Sequence, residues 1–222
     1  MAYKDFINQL HSKTKRNYLE RVCEHDKIEC ALTAKKYGKD YWDGDRQYGY
    51  GGYYYDGRWE VVAKEMIDFY NIKPGDKILD IGSGKGFLLY EFKKLIPDLE
   101  VRGIDISDYG LENSKEEIKE TLVKASAQDL PFEADEFDFV YSIGTLHNLR
   151  IYDLKKAIEE ITRVVKKPER SYIMVESFRN EEERVNLLYW QLTCESFYAT
   201  EEWEWIYEQF GFKGDHSFIF FE

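Results

Sequence analysis

Apolar and polar positions change their rhythm several times along this chain of 222 residues. From residue 59 to 71, Val62, Met66 and Phe69 share one face, which predicts a helix, and Lys73-Pro74-Gly75-Asp76 reads as the turn that ends it. Residues 78–81 are a short apolar run interrupted by Asp80, the pattern of a buried strand, and Phe87, Leu88, Phe92 and Leu95 return at helical spacing. Val101 to Ile106 reads as a second strand, Glu136 to Ile143 as the fourth and Ser171 to Phe178 as the fifth. Between the last two, Leu154, Ile158, Ile161 and Val165 make one stripe of a helix over 153–166. Strands alternating with helices predict an α/β fold, a mostly parallel sheet with helices on both faces.

The two ends depart from this rhythm. Residues 3–36 are charged with apolar residues near helical spacing (Leu19, Val22 and Cys23, then Ile28 and Leu32), so helices are expected there. Residues 37–58 carry tyrosines and glycines in place of periodicity and read as ordered loop or broken strand. After the fifth strand, Val185, Leu188 and Trp190 mark a helix-like insertion at about 181–199, followed by a helix over roughly Thr200 to Phe210. A last strand, Ser217 to Phe221, is expected to pair antiparallel with the fifth, with the strand that would precede it very short or missing. The expected organisation is a helical cap and aromatic lid over 1–58 and a core over 59–222.

Composition narrows the partners. The chain is long enough for one sizeable core and short for two domains. A net charge of −12 argues against unaided binding to nucleic acid, whose phosphates it would repel. Cys23, Cys30 and Cys194 form no C-x-x-C pair and have no histidine at zinc spacing, which points to a reduced, cytoplasmic protein without a bound metal. The first ten residues lack the apolar stretch of a signal peptide or membrane helix. A monomer or homodimer is expected.

The chemistry begins at residues 78–86, Ile-Leu-Asp-Ile-Gly-Ser-Gly-Lys-Gly. Glycines between a strand and a helix admit positive φ and let backbone approach a ligand, and the helix start offers free N–H groups. Their spacing is D-x-G-x-G-x-G, not the G-x-G-x-x-G of a dinucleotide site. Asp105 follows 19 residues after Gly86 at the end of the second strand, then come A-S-A-Q-D-L-P-F over 125–132 and T-L-H-N-L after the fourth strand. In this order the motifs resemble those of the class I S-adenosylmethionine-dependent methyltransferases over about residues 60 to 178.

The resemblance implies a Rossmann-like fold, S-adenosylmethionine as methyl donor, S-adenosylhomocysteine as product, and no metal. It implies that Gly82, Ser83, Gly84 and Gly86 admit the methionine and ribose portions. Asp80 would bind or orient the amino end and Asp105 the ribose hydroxyls. Asp129 would reach the adenine amine, with Gln128 beside it and Ile106 and Leu130 as apolar walls. Segments ahead of the first strand often close over the cofactor in this family, so residues 41–59 are expected to form a lid. In it, Arg58 suits the methionine carboxylate, while Arg46, Tyr48, Tyr50 and Tyr54 face the acceptor. His147, after the fourth strand, is the candidate proton acceptor, and Glu176 a possible substrate contact. His11, His25 and His216 are expected to be surface or packing residues.

The prolines stand singly and no N-P-P-Y type segment is present, so the family's signature for methylating base amines is missing. The leading expectation is methyl transfer to an oxygen or nitrogen of a small polar metabolite such as a sugar or amino acid. The alternatives are a protein methyltransferase docking its substrate on 181–199, and a cofactor-binding homologue that does not methylate.

Overall fold

The computed structural model describes residues 1–7, 10 and 23–222. The helical expectation at Leu19 and Val22, and His11, lie outside the described residues. The chain enters through α1 (Lys27–Ala34) and α2 (Lys39–Asp43), followed by α3 (Glu60–Tyr70). The core continues as β1 (Lys77–Ile81), α4 (Phe87–Leu95), β2 (Glu100–Asp105), α5 (Asp108–Glu112), β3 (Leu122–Lys124) and β4 (Phe139–Ile143). It ends with α6 (Ile151–Val164), β5 (Ser171–Glu176), α7 (Glu181–Trp190), α8 (Thr200–Gln209) and β6 (Asp215–Ile219).

The six strands form one sheet in the order β3-β2-β1-β4-β5-β6, and every pairing is parallel. Alternation along each strand feeds two cores. On one face, Leu79, Val140, Ile173 and Val175 meet Leu154, Ile158 and Ile161 of α6 and Trp203, Ile206 and Tyr207 of α8. On the other, Ile78, Phe139, Tyr172 and Met174 meet Val62 and Met66 of α3 and Leu89 and Phe92 of α4. Burying both faces is why the strands read as nearly continuous apolar runs. Among the described residues no helix is long and apolar enough to cross a membrane.

Three expectations are corrected. The last strand is not antiparallel: β6 runs parallel to β5, with Tyr172 opposite Asp215 and Glu176 opposite Ile219. The connection over 177–214 is a long crossover carrying α7 and α8, which returns the chain to the amino end of the sheet, where only a parallel strand can begin. Residues 3–7 are not helical; Tyr3 bridges to His216, the Lys4 N–H donates to the His216 carbonyl, and Phe6 and Ile7 are buried in the second core. The chain start therefore packs on the sheet, and only later residues reach the cap. In α1, Ile28 and Leu32 face outward, while Cys30 and Ala34 are the buried pair. Asp26 sets the start of α1 by accepting from the Ile28 and Glu29 N–H groups, which fixes the helix phase.

Candidate active site

Strand order reverses between β1 and β4, and the crevice at their carboxyl ends is where an open α/β sheet binds ligands. The loop leaving β1 turns sharply because Gly82, Gly84 and Gly86 all have positive φ, at 82°, 54° and 69°. The Gly82 and Ser83 N–H groups both donate to the Ile104 carbonyl, tying the loop to β2, and Gly86 precedes the first turn of α4. At Gly84 a side chain is barred twice, by its φ and because a Cβ would lie 2.5 Å from the Trp42 ring.

Asp105 ends β2 beside this loop. Its carboxylate accepts from the Gly84 N–H at 2.7 Å and the Ser107 N–H at 2.8 Å, and it is 9% exposed. Burial raises its pKa, and the backbone N–H bonds oppose that shift. Asp80 lies deeper, 5% exposed, accepting from the Tyr141 hydroxyl at 3.0 Å. Burial, reinforced by the Asp105 charge and only partly offset by Tyr141, pushes the Asp80 carboxyl up to about 8.

Residues 37–59 lie across this loop. Trp42 is 6% exposed, its indole N–H donates to Ser107 Oγ at 2.8 Å, and its ring stacks on Tyr50 with 6° between the planes. A buried ion pair fastens the segment: Lys85, between Gly84 and Gly86, donates to both Asp43 oxygens at 2.7 Å and to the Tyr53 carbonyl at 2.9 Å. Asp43 also accepts from the Tyr109 hydroxyl and the Tyr53 N–H. Burial would raise the Asp43 carboxyl, but its bonds from Lys85, Tyr53 and Tyr109 win and hold it below its ordinary value. Further along, the Tyr53 ring stacks on Phe87, and the Tyr55 hydroxyl donates to buried Glu91.

Two cavities meet under this cover. The first, about 380 Å³, includes Gly82, Asp105, Ile106, Ser126, Gln128 and Asn148 in its lining. The second, about 350 Å³, reaches Ser83, Gly84, His147 and Glu176, with Arg46, Arg58 and Trp59. Tyr41, Trp42, Tyr50, Gly82, Ile143 and Gly144 line both and form the shared wall.

The expected site residues divide accordingly. Gly82, Asp105, Ile106 and Gln128 come together in the first cavity. Ser83, Gly84, Arg46, Arg58, Tyr50, His147 and Glu176 come together in the second, with Arg58 ion-paired to Asp56. Six residues lie elsewhere. Gly86 is buried at the start of α4, where a Cβ would lie 2.4 Å from the Ile118 side chain. Asp129 is exposed, because the backbone bridge between Ser126 and Asp129 makes a tight turn that brings Ser126 to Gln128 to the cavity instead. Leu130 is 4% exposed and packs into the first core. Asp80 sits beneath the loop and lines neither cavity. Tyr54 is 70% exposed, with the Lys85 ammonium 5.4 Å from its ring centre. Tyr48 packs with Cys30, Ala34 and Leu192.

His147 is 4% exposed and burial pushes its pKa down to about 4, so it is neutral near pH 7. Its Nδ1 accepts the Glu176 N–H at 3.3 Å, which leaves the ring proton on Nε2, 3.7 Å from Glu176 Oε2. The Nδ1 lone pair is thus occupied, while Nε2 stands beyond hydrogen-bond distance of the Glu176 carboxylate, and both side chains line the second cavity. His216 is 3% exposed and His25 exposed, as packing and surface residues.

Several residues escaped sequence reasoning. Lys85 was visible as the one charged residue in the glycine loop, but nothing in sequence links it to Asp43, 42 positions earlier. Tyr37 and Thr145 also line the first cavity. Asn148 does too, and its buried Oδ1 finds no hydrogen-bond partner among the described residues, leaving an acceptor for a ligand donor.

With this geometry in view, comparison with known proteins is informative. Residues 79–173 match the methyltransferase domain family. Demethylmenaquinone methyltransferase of Symbiobacterium thermophilum is 33% identical over 129 residues, covering 54% of this chain and 50% of that protein. The enzyme of the same name from Bacillus cytotoxicus is 33% identical over 116 residues, 49% of this chain and 48% of that one. The chain thus spans about half the length of these curated relatives. Among solved structures, the YcgJ protein of Bacillus subtilis matches with a TM-score of 0.56 at 23% identity, over 67% of this chain and 66% of that one. A SAM-dependent methyltransferase from Aquifex aeolicus matches with a TM-score of 0.53 at 22% identity, over 70% and 82%. These structural likenesses concern the fold.

Proposed function

We propose, for a chain whose residues 79–173 form a methyltransferase domain of the class I S-adenosylmethionine-dependent kind, that it transfers a methyl group to an oxygen or nitrogen of a small polar metabolite. The observation that carries this reading is the pair of cavities joined at Gly82, Ile143 and Gly144. One holds the features a nucleoside needs, and the other holds the carboxylate and rings that an acceptor needs.

The residues of the first cavity fit S-adenosylmethionine. Asp105 keeps lone pairs beyond its two backbone bonds for ribose hydroxyls, Ile106 offers an apolar face, and Asn148 Oδ1 awaits a donor. At Gly84 the space a Cβ would fill is taken by the Trp42 ring, so the glycine lets that wall of the cavities pack on the loop. Bound there, S-adenosylmethionine supplies a methyl group already activated on a sulfonium. The protein's share is alignment and exclusion of water, and alignment alone is worth on the order of 7–11 kcal/mol at best. Trp42, Tyr41 and Tyr50 in the shared wall would present ring faces to a sulfonium, Arg58 would take a carboxylate at the mouth, and Glu176 would accept the acceptor's proton.

A cavity of about 350 Å³ behind an aromatic segment favours a small molecule over a polypeptide. The name of the relatives, together with the aromatic lining, supports a second reading in which the acceptor is a quinol ring. Calorimetric titration with S-adenosylmethionine and S-adenosylhomocysteine, followed by incubation with methyl-labelled donor and a metabolite extract, tests the proposal. Binding of both ligands and a labelled small product are expected. Folded protein that binds neither would overturn the cofactor reading, and label in polypeptide alone would overturn the acceptor reading.

A further inference from the structure

Four buried side-chain atoms have no hydrogen-bond partner among the described residues: Asn148 Oδ1, the Trp203 indole nitrogen, the Tyr207 hydroxyl and His216 Nδ1. Of these four residues, Asn148 alone lines either cavity, and it lines the first and not the second. It therefore stands on the side of Asp105, Ile106 and Gln128. Its backbone is held from two directions. Asn148 closes the short turn Leu146–Asn148 after β4, and its N–H donates to the Thr145 carbonyl at 3.0 Å. The crossover after β5 grips the same turn: the Glu195 and Ser196 N–H groups donate to the His147 carbonyl, and Ser196 Oγ donates to the Leu149 carbonyl at 2.6 Å. The acid that the motif offers for the same cavity, Asp129, is exposed and lines neither cavity.

We infer that Asn148, and not the motif acid Asp129, reads the purine amine of the methyl donor, so that this amide makes the site selective for a 6-aminopurine nucleoside. The inference deepens the proposed function and rests on its assignment of S-adenosylmethionine to the first cavity. That molecule brings three kinds of hydrogen-bond donor: ribose hydroxyls, an ammonium and the purine amine. The hydroxyls have the Asp105 carboxylate at the end of β2. The ammonium belongs to the methionine portion, toward the wall shared with the second cavity. The amine is left for an acceptor of the first cavity alone. Ser126, Gln128 and Asp153 also line that cavity but are half-buried, and Glu195 is exposed and paired with Lys35. Such groups keep water to bond when a ligand offers them nothing. A buried oxygen without a partner has no substitute, so a ligand donor offsets its desolvation and a ligand lacking the donor does not. An amide also carries donors beside its acceptor on one plane. It can meet the amine and a neighbouring ring nitrogen together, which an ionised carboxylate cannot.

S-adenosylhomocysteine and its deamino analogue, in which hydrogen replaces the purine amine, test it. Each is titrated calorimetrically into the native protein, into Asn148→Leu and into Asp129→Ala. The native protein is expected to bind S-adenosylhomocysteine about tenfold or more tightly than the analogue. Asn148→Leu, similar in volume, should lose most of that preference through weaker S-adenosylhomocysteine binding, with the analogue bound as before. Asp129→Ala, an exposed change, should keep the preference whole. Equal affinities in the native protein would overturn the inference without any variant having to fold. A preference undiminished in Asn148→Leu, or lost in Asp129→Ala, would overturn it as well. The two readings separate: folded native protein that binds neither ligand removes the cofactor reading and this inference with it, whereas S-adenosylhomocysteine bound no better than its analogue removes this one alone.

Discussion

Replacing Lys85 by Met should undock the aromatic segment from the glycine loop. The ammonium side chain is 4% exposed and the Asp43 side chain 11%, so the pair sits out of reach of solvent screening. Removing one partner of such a pair leaves the other as an uncompensated buried charge and costs about 3–5 kcal/mol. Asp43 would keep its bonds from the Tyr109 hydroxyl and the Tyr53 N–H, which places the expected cost near the lower end, about 3 kcal/mol. A loss of that size lowers the docked-to-undocked ratio of the segment by a factor of about 100. Hydrogen exchange reads this directly at the Tyr50 and Gly52 amides, which donate to the Tyr41 and Trp42 carbonyls, and at the Tyr53 amide, which donates to Asp43. Their exchange should accelerate by about that factor while β1 and β4 keep their protection. The double variant Lys85→Met, Asp43→Leu replaces the ion pair by an apolar pair and should recover most of the protection, since buried pairs are often dispensable when both charges go. Unchanged exchange in Lys85→Met would refute the latch. Additive losses in the double variant would show that the two side chains act separately.

Three further outcomes follow from the site. Asp105→Ala should weaken S-adenosylhomocysteine binding by about tenfold or more and lower Tm, because the Gly84 and Ser107 N–H groups lose their acceptor; an unchanged dissociation constant would place the ribose elsewhere. The Asp80 carboxyl, raised to about 8 against about 3.9 in an unfolded chain, holds its proton longer in the native state, so stability should fall as pH rises from about 4 to 8 and level off above. Urea denaturation across that range should show a flatter profile in Asp80→Asn, and an unaltered slope would contradict the assignment. His147, lowered to about 4 against about 6.5 unfolded, has the opposite sign: as pH falls the unfolded chain takes up the proton first, and about 3 kcal/mol of stability should be lost between pH 6.5 and 4. His147→Gln should lack that part of the acid loss, and an identical acid profile would show that His147 does not contribute it.

Much of this protein is local and could be read along the chain. The period of apolar positions located α3, α4, α6 and α8 to within a few residues, because each buries one stripe against a sheet face. Strands β1, β4 and β5 were legible as apolar runs because a doubly covered sheet leaves them no solvent face. The glycine triplet and Asp105 were legible because chain geometry at a strand-to-helix turn permits few residues there. The family resemblance likewise rests on four short motifs, each confined to one loop at the carboxyl end of a strand.

The rest depended on which distant segments share a surface. Strand direction at the sheet edge was set by the crossover over 177–214, and the apolar run at Ser217 to Phe221 carries no mark of direction. Phe6 and Ile7 look like part of a charged helical stretch until the sheet face they cover is known. Asp129 stands in the right motif yet is turned outward by a backbone bridge, and Asn148 reaches the cavity with an acceptor that no motif marks. Lys85 and Asp43 are ordinary surface-type charges in sequence, and nothing along the chain shows that the His147 Nδ1 accepts from the Glu176 N–H. Sequence determined the sheet, its covering helices and the glycine loop with Asp105 beside it, since those follow from periodicity and turn sterics acting over a few residues. Tertiary structure alone decided which charges are buried, which are paired and which face a cavity, because desolvation and hydrogen bonding depend on neighbours that the order of residues does not place.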